Sequence, residues 1–187
     1  MKAWLLAAAL AATPVMAMAA SKTDSIEARL QRIEDELAIR RIPTEYARAL
    51  DERDFDAYVG LFAKNGQWIN GKTVKKGPEE IRQLLVGIFG TPQPGFVNMK
   101  SMEVVSNIDV KIDGDHATGT CLHVLLRRTA DGTPMPALTG RYEDEYIREN
   151  GEWKILRRVD KPIMPTPEEW AKKMAADKQP PAKSGAQ

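Results

Sequence analysis

Apolar residues near the start of the chain recur with the spacing of an α-helix. Four of them share one helical face, because they follow one another at intervals of four, three and four residues. They are Ile26, Leu30, Ile33 and Leu37. Such a stripe packs either on the domain's own sheet or, as a short coiled coil, on a second copy of the chain. We expect packing on the domain's own sheet, which is the simpler arrangement.

Capping residues and a proline mark the course of this first helix. Asp24 and Glu27 form a capping box, in which each side chain satisfies a backbone N–H group at the helix start. Pro43 has no N–H group and is expected to kink or break the helix near Ile42. Beyond the proline, three residues are expected to resume the stripe: Tyr46, Ala49 and Leu50.

Three further helix starts follow from their local chemistry. Asp54 is expected to cap a short helix that runs to Phe62. Residues 77–80 begin another helix, because Pro78 suits the first helical position and the glutamates after it suit the positive end of the helix dipole. Residues 166–187 are predicted to form a short helix and then a disordered tail rich in Lys, Pro, Gly and Ala.

After Thr91 the pattern changes to that of β-strands. Apolar and polar residues alternate over residues 103–112, with Ile108 on the face that includes Val104. Dipeptides Asp-Gly at 113–114 and Asn-Gly at 150–151 predict tight hairpin turns. The strands that pair through these turns are expected over residues 117–127, 139–148 and 153–160.

Helices followed by a long antiparallel sheet predict a single α+β domain over residues 21–165, in which a curved, cone-shaped sheet wraps around the N-terminal helices. A chain of 187 residues, 43% hydrophobic and 28% charged, is ordinary for a globular protein with one core. Because 27 Lys and Arg nearly balance 26 Asp and Glu, the charge gives no reason to expect nucleic acid as a partner.

Residues 1–20 have the three regions of a secretory signal peptide: a positive start at Lys2, an apolar stretch over residues 3–12 and small residues at 17–19. We therefore expect a periplasmic or secreted protein that does not associate with the membrane once the peptide is removed. The only cysteine, Cys121, cannot form an intrachain disulfide and is expected to be a small buried residue.

Several motifs follow one another in a specific order between about residue 33 and residue 160. They are Tyr46, Asp51, residues 55–62, Trp68, residues 77–79, residues 105–108 with 113–115, and residues 140–146 with 151–155. Their order resembles the SnoaL-like family of the nuclear transport factor 2-like superfamily, and most closely the scytalone dehydratases and the hexachlorocyclohexane dehydrochlorinase. The resemblance implies a cystatin-like fold, a homodimer or small homo-oligomer, and a lyase that needs no cofactor.

The resemblance also implies where the chemistry takes place. In the relatives, an aspartate at the end of a helix pairs with a histidine on the first long strand and removes a proton from carbon. Asp51 falls on that aspartate, but Glu103 occupies the position of the histidine. Two carboxylates in one pocket cannot both ionise cheaply, so such a pair would hold a proton and act as acid and base. Alternatively, Glu103 turns outward and binds Arg or Lys.

Two more side chains are candidates for the reaction. His123 has the strand parity of pocket-lining positions in the relatives, although a lone strand histidine is also common as a partly buried structural residue. Arg158 falls on an arginine that resembles a leaving-group contact, and its alternative role is a salt bridge to Asp144 or Asp160. The spacing of the two histidines in the chain argues against a zinc site, so no metal is predicted.

Four residues are candidates for substrate contacts: Tyr46, Trp68, Tyr142 and Asn107. The aromatic ones are equally compatible with an ordinary core. Together these features predict an exported lyase that removes a proton from a small apolar or aromatic substrate, by dehydration, another elimination or retro-aldol cleavage. The alternative is an exported module that binds a small molecule in the same pocket without changing it.

Overall fold

The structure is a computed structural model that describes residues 25–177. The predicted signal peptide and most of the predicted tail lie outside the described residues. The elements are α1 (Ile26–Glu52), α2 (Phe55–Gly60), β1 (Phe62–Asn70), β2 (Thr73–Lys76), α3 (Gly77–Phe89), β3 (Ser101–Asp113), β4 (His116–Arg128), β5 (Pro134–Glu149), β6 (Glu152–Met164) and α4 (Pro167–Asp177).

The six strands form one curved sheet in the order β2-β1-β6-β5-β4-β3. Neighbouring strands are antiparallel except for β1 and β6, which run parallel. The predicted α+β class and cone-like arrangement are confirmed. The β1–β2 hairpin was not predicted, because Lys64 to Gln67 are mainly polar and break the alternation of a strand. Phe62 accordingly begins β1 instead of ending α2.

Helices α1, α2 and α3 cover the concave face of the sheet, and the core lies between them. Ile39 of α1, Ile81 of α3 and Ile155 of β6 are fully buried. Local signals position the helices as predicted: Asp54 caps α2 by accepting a hydrogen bond from the Ala57 N–H at 3.0 Å, and Pro78 stands at the start of α3. None of the helices within residues 25–177 combines the length and the apolar character needed to cross a bilayer.

Helix α1 differs from its prediction at both ends. The N-cap is Ser25, whose hydroxyl accepts a hydrogen bond from the Ala28 N–H at 3.2 Å, while Asp24 lies outside the described residues. Pro43 does not break the helix, which continues to Glu52. The proline ring is buried in the core, and this burial offsets the single helical hydrogen bond that the missing N–H group removes.

The N-terminal apolar stripe does not pack on the sheet, so that expectation was wrong. Its members remain 77%, 53%, 56% and 63% exposed at Ile26, Leu30, Ile33 and Leu37. The residues of α1 that face the domain are instead Asp35, Ile39, Ile42, Tyr46 and Ala49. Because successive residues turn by about 100° along a helix, the stripe lies roughly opposite this buried set.

A β-bulge in β3 decides which residues of that strand face the helices. Between Ser106 and Asp109, β3 advances three residues while β4 advances two, and Asn107 adopts a left-handed φ of 52°. The extra residue reverses the alternation, so Glu103 and Ile108 both face the core while Val104 is exposed. The uniform alternation predicted for residues 103–112 therefore does not hold.

Candidate functional site

Polar side chains from five neighbouring strands, β1, β6, β5, β4 and β3, meet on the concave face of the sheet. Cross-strand pairing sets Tyr142 of β5 opposite Asp160 of β6, and Asp144 opposite Arg158. His123 of β4 lies opposite Gly140. Since side chains two residues apart on a strand share a face, these positions belong to one surface. They form two clusters, one centred on a histidine and one on an arginine.

The first cluster, here called the acid–base cluster, surrounds His123. Its Nε2 atom lies 3.1 Å from Oδ1 of Asp160, and its Nδ1 atom lies 4.0 Å from Oε1 of Glu103. The hydroxyl of Tyr142 donates a hydrogen bond to the same Glu103 oxygen at 2.6 Å. The amide of Asn70 donates to Oδ2 of Asp160 at 2.8 Å. An imidazole thus stands between two carboxyl groups, and each carboxyl group also accepts a hydrogen bond from another side chain.

This cluster is almost closed to solvent. His123 is 2% exposed, Asp160 8% and Glu103 9%. Burial raises the pKa of the Glu103 carboxyl, although the Tyr142 hydrogen bond and the neighbouring imidazole act in the opposite direction. Burial likewise raises the pKa of Tyr142 well above its ordinary value. A carboxyl group in this setting retains its proton to a higher pH than a glutamate in water.

The imidazole has a fixed orientation. His123 stacks on the ring of Tyr142 with a centroid distance of 4.2 Å and an interplanar angle of 8°. A glycine opposite it leaves the necessary room, since a Cβ atom at Gly140 would lie 2.2 Å from Nε2 of His123. The ring is held in one position by stacking on Tyr142 and by the hydrogen bond to Asp160, and the absence of a side chain at Gly140 makes room for it.

The second cluster, here called the ion-pair cluster, consists of Arg158, Asp144 and Tyr146. Arg158 is fully buried and donates two hydrogen bonds to Asp144, from Nε at 2.8 Å and from Nη2 at 2.7 Å. The hydroxyl of Tyr146 donates to the same carboxylate at 2.6 Å. Burial disfavours the charged guanidinium, but Asp144 outweighs it and the pKa of Arg158 is raised well above its ordinary value. The salt-bridge alternative for Arg158 is therefore what the structure contains, with Asp144 as the partner.

Aromatic rings separate and cover the two clusters. The guanidinium of Arg158 lies 4.1 Å from the ring centroid of Tyr46 and 4.4 Å from that of Tyr142. Trp68 donates from its indole N–H to the Tyr46 hydroxyl at 3.0 Å. Among the described residues, Nη1 of Arg158 is buried and has no hydrogen-bond partner. It is a spare donor beside the acid–base cluster.

Asp51 lies at the edge of this arrangement. It is half-buried in the last turn of α1, and its carboxylate accepts the backbone N–H of Glu103 at 3.0 Å and 3.2 Å. Burial raises the pKa of this carboxyl group, while the Glu103 N–H and the Arg53 charge lower it. The structure thus brings Asp51 to the main chain of Glu103, and brings the Glu103 side chain to His123.

The other predicted residues divide between the site and the surface. Tyr46, Trp68 and Tyr142 pack around the clusters, whereas Asn107 is exposed in the β3 bulge. The bulge turns Asn107 away because its left-handed backbone interrupts the pleat.

The structure adds three polar residues that sequence reasoning did not assign to the site: Asp160, Asp144 and Asn70. The alternation of β6 could have indicated Asp160, which shares a face with Arg158 two residues earlier. Asn70 could not be found this way, because β1 itself was not predicted.

An open pocket at this position was also expected, and the structure corrects it. The rings of Tyr46, Tyr142 and Trp68 fill the space between α1 and the sheet. Two cavities of the described residues, of about 330 and 320 Å³, lie elsewhere. One is beside the β3–β4 turn, and the other is between the start of β3 and the end of β4. Within residues 25–177, no three or more His, Cys, Asp or Glu side chains are arranged as metal ligands.

Comparison with known proteins identifies the family. The SnoaL-like domain profile matches residues 31–159, which is well over half of the chain. This chain belongs to the SnoaL-like domain family.

Solved structures with the same fold support this assignment. An NTF2-like protein with a cystatin-like fold from Novosphingobium aromaticivorans superimposes with a TM-score of 0.67 at 22% identity, covering 80% of this chain and 97% of the other. A proposed scytalone dehydratase from the same species gives 0.60 at 22% identity over 73% and 89% of the two chains. LinA gives 0.60 at 21% identity over 73% and 95%. These similarities establish the fold as NTF2-like.

In this SnoaL-like domain, the titratable groups of the acid–base cluster lie on three strands, β3, β4 and β6. The imidazole stands on β4, at His123, and the β3 position at which the resemblance implies a histidine holds Glu103. The two side chains nevertheless meet, because the bulge turns Glu103 inward and Val105 of β3 pairs with His123.

Proposed function

We propose that this protein is a lyase that uses no cofactor, removes a proton from carbon in a small apolar or aromatic substrate, and expels a small group from the neighbouring carbon. The observation that carries the proposal is the position of His123 between the carboxyl groups of Asp160 and Glu103. The fold shared with LinA and with a proposed scytalone dehydratase supports the reaction class. Elimination of water is the form that uses this cluster most completely.

His123 is the base in this proposal. Asp160 accepts a hydrogen bond from Nε2–H, which selects the tautomer whose Nδ1 atom carries the lone pair. Nδ1 faces the Glu103 side of the cluster. A substrate C–H bond at this position loses its proton to Nδ1, and the electron pair of the broken bond forms the new double bond.

Glu103 is the acid. Burial raises its pKa, which favours the protonated form, and in the proposed cycle the carboxyl group gives its proton to the departing oxygen. The C–O bond breaks with its electron pair, and the oxygen leaves as water. The proton on Nδ1 then returns to the Glu103 carboxylate across the 4.0 Å that separates the two groups. The cycle therefore restores both side chains without an oxidant or a second reactant.

Arg158 contributes a fixed positive charge and remains bound to Asp144. In a site that excludes water, such a charge stabilises an enolate that develops nearby. Its unpaired Nη1 donor is available to an oxygen of the substrate. Asp51 acts as a positioning residue, because its carboxylate holds the backbone of Glu103.

Access to the cluster requires an opening, and the end of α1 is where we propose it. Arg53, just after Asp51, stacks on Phe89 at 3.8 Å and lies 5.6 Å from the ring of Phe96. These contacts join α1 to the end of α3 and to the segment of residues 90–100 that precedes β3. Displacing this segment would uncover the side of the cone from which Glu103 extends.

The test is turnover by matched variants. The protein is incubated in D₂O with a panel of small aromatic and alicyclic alcohols and chlorides that carry an acidic C–H beside the leaving group. Mass spectrometry follows loss of water or HCl and uptake of deuterium at carbon. We expect His123→Gln to lower turnover by a factor of about 10² to 10⁴. His116→Gln, an exposed residue at the start of β4, is the control and should leave turnover unchanged.

The Asp51→Asn variant distinguishes this proposal from one in which Asp51 is the base. The amide still offers an oxygen to the Glu103 N–H, so a positioning role predicts a loss of less than about tenfold. If Asp51→Asn abolishes turnover while His123→Gln does not, His123 is not the base.

A second candidate is a binding module that holds a small molecule without changing it. The observation in its favour is that the titratable side chains of both clusters are hydrogen-bonded within the protein and less than a tenth exposed. It predicts that compounds from the same panel raise the melting temperature but are recovered unchanged, with no deuterium at carbon. Exchange or elimination that depends on His123 would exclude it.

We also propose that residues 1–20 direct export, on the strength of their sequence pattern alone. Expression of the full chain in a bacterial host and N-terminal sequencing of the periplasmic fraction tests this. We expect a chain that begins at about residue 21. A chain that retains Met1 and stays in the cytoplasm would contradict export.

A further inference from the structure

Helix α1 has two different apolar faces. One face, with Ile39 and Ile42, is buried against the domain. The other carries the stripe of Ile26, Leu30 and Ile33, which continues to Leu37 and is more than half exposed at every position. The stripe lies roughly opposite the buried face, as the turn of about 100° per residue requires. Large apolar side chains in such a contiguous row indicate an interaction surface.

Helix α1 cannot rotate about its axis to bury the stripe against the domain. Asp35, on the inner face, accepts a hydrogen bond from the Trp153 indole at 3.1 Å and forms a salt bridge with Arg148 at 2.7 Å. The guanidinium of Arg148 also lies 4.5 Å from the ring centroid of Trp153. These contacts to β5 and β6 fix the rotation of α1 and keep the stripe turned away from the domain.

We infer that this stripe is the contact surface for a second copy of the chain, through a parallel, in-register coiled coil of the N-terminal halves of two α1 helices. Intervals of four, three and four residues are those of alternating d and a positions in a heptad repeat. In this register Arg29 is a g position and Glu34 is the following e position. A parallel dimer sets Arg29 of each copy beside Glu34 of the other, which are opposite charges.

Charge favours the parallel arrangement over the antiparallel one. In an antiparallel dimer e positions face e positions and g positions face g positions, so the attraction between Arg29 and Glu36 is offset by the repulsion between Glu27 and Glu34. The shape of the molecule allows the contact, because each domain lies on the side of α1 away from the shared seam. The two domains therefore stand on opposite sides of the coiled coil.

The short seam is compatible with a stable contact because the helix already exists in the monomer. An isolated helix of about a dozen residues is marginal in water. Here α1 continues for 27 residues and its C-terminal half is anchored in the core. Association then orders only side chains, and buries four large apolar residues from each copy.

Disulfide trapping of the full chain tests the register. In a parallel, in-register dimer the two Ile33 positions face each other within the roughly 7 Å between Cα atoms that a disulfide requires. We expect Ile33→Cys to give a covalent dimer under mild oxidation. The control is Ala28→Cys, a position that is exposed on α1 but lies off the seam. This variant should run as a monomer on a non-reducing gel. Cys121 is 1% exposed and is common to both variants.

Charge exchange tests the partner and the direction. Measured by sedimentation velocity, Arg29→Glu should lower the association constant at least roughly tenfold, and adding Glu34→Arg should restore it to within about threefold. Rescue of Arg29→Glu by Glu36→Arg, but not by Glu34→Arg, would overturn the parallel arrangement. A wild-type chain that is monomeric at about 100 μM, or a dimer that Leu30→Lys leaves intact, would overturn the proposed interface.

Discussion

The two polar clusters on the concave face differ in how their charges are matched. In the ion-pair cluster, one cation and one carboxylate meet through two parallel hydrogen bonds, and Tyr146 supplies a third donor. In the acid–base cluster, one imidazole faces the carboxyl groups of Glu103 and Asp160. Both clusters are buried in the same wall of the sheet. Burial therefore does not distinguish the two clusters, and in the proposed reaction the reactive one is the cluster with more carboxyl groups than cations.

The difference has a physical consequence. A matched pair in a low-dielectric interior keeps both of its charges, and removing either partner exposes the cost of burying the other. In the acid–base cluster two carboxyl groups face a single imidazole, so the charges are not matched one to one. Burial accordingly raises the pKa of Glu103 while Asp144 stabilises the charge of Arg158. In the proposed reaction the ion-pair cluster keeps both of its charges, and the acid–base cluster exchanges protons.

Breaking the Arg158–Asp144 ion pair should cause the greatest loss of stability. Arg158→Met leaves the Asp144 carboxylate buried and without its cation, so we expect the free energy of unfolding to fall by about 3–5 kcal/mol. Urea denaturation at neutral pH measures this change. The matched variant carries Asp144→Leu in addition, and it should recover at least half of the loss because no unpaired charge remains. Equal losses in the single and double variants would show that the pair is not held as described.

The next effect concerns the position of the imidazole. Gly140→Ala places a Cβ atom 2.2 Å from Nε2 of His123 and must displace the ring from Asp160. We expect this overpacking to lower the free energy of unfolding by about 1–3 kcal/mol. Because it displaces the imidazole, it should also lower turnover more than the control substitution does. Gly60→Ala is the control, since nothing lies within 4 Å of its added Cβ atom. If Gly140→Ala keeps full turnover, the reaction does not depend on the position of His123.

The smallest effect is a pH dependence at Glu103. Burial raises the pKa of this carboxyl group above its ordinary value of 4.5. Below about pH 4 both folded and unfolded states hold the proton, and as the pH rises the unfolded state loses it first. Stability of the wild type therefore falls with rising pH through this window, and Glu103→Gln removes the fall.

Chemical denaturation at two pH values measures the Glu103 effect. We expect Glu103→Gln to be more stable than the wild type at pH 8 and to show little difference at pH 4. Glu168→Gln, an exposed residue of α4, is the control and should show no such dependence. A stability gain that is larger at pH 4 than at pH 8 would reverse the sign and contradict a raised pKa.

Local chemistry in the sequence predicted much of the fold. Asp54, Pro78 and the Asn150-Gly151 turn act through their nearest neighbours, and all three stand where they were expected. Asn150 and Gly151 both adopt the left-handed backbone that a tight hairpin requires. The β1–β2 hairpin carries the same dipeptide at Asn70 and Gly71, but it was not predicted because the mainly polar residues 64–67 before it break the alternation of a strand.

The site was less predictable, for reasons of register and tertiary support. The bulge at Asn107 turns Glu103 inward, and simple alternation cannot reveal an extra residue. Asp51 was assigned to the chemistry from the resemblance, yet its hydrogen bonds go to the backbone of Glu103. The apolar stripe of α1 showed the right period, but a period alone does not tell which side of a helix meets the domain.

The proposed reaction requires that Nδ1 of His123 carries no proton, so that it can accept one from the substrate. Long-range ¹⁵N–¹H NMR of the imidazole rings at neutral pH measures this most directly, with His116→Gln assigning the two histidines. We expect the proton of His123 on Nε2, bound to Asp160, and a non-protonated Nδ1. A ring protonated on Nδ1, alone or together with Nε2, would leave Nδ1 unable to accept the substrate proton and would contradict the proposed reaction.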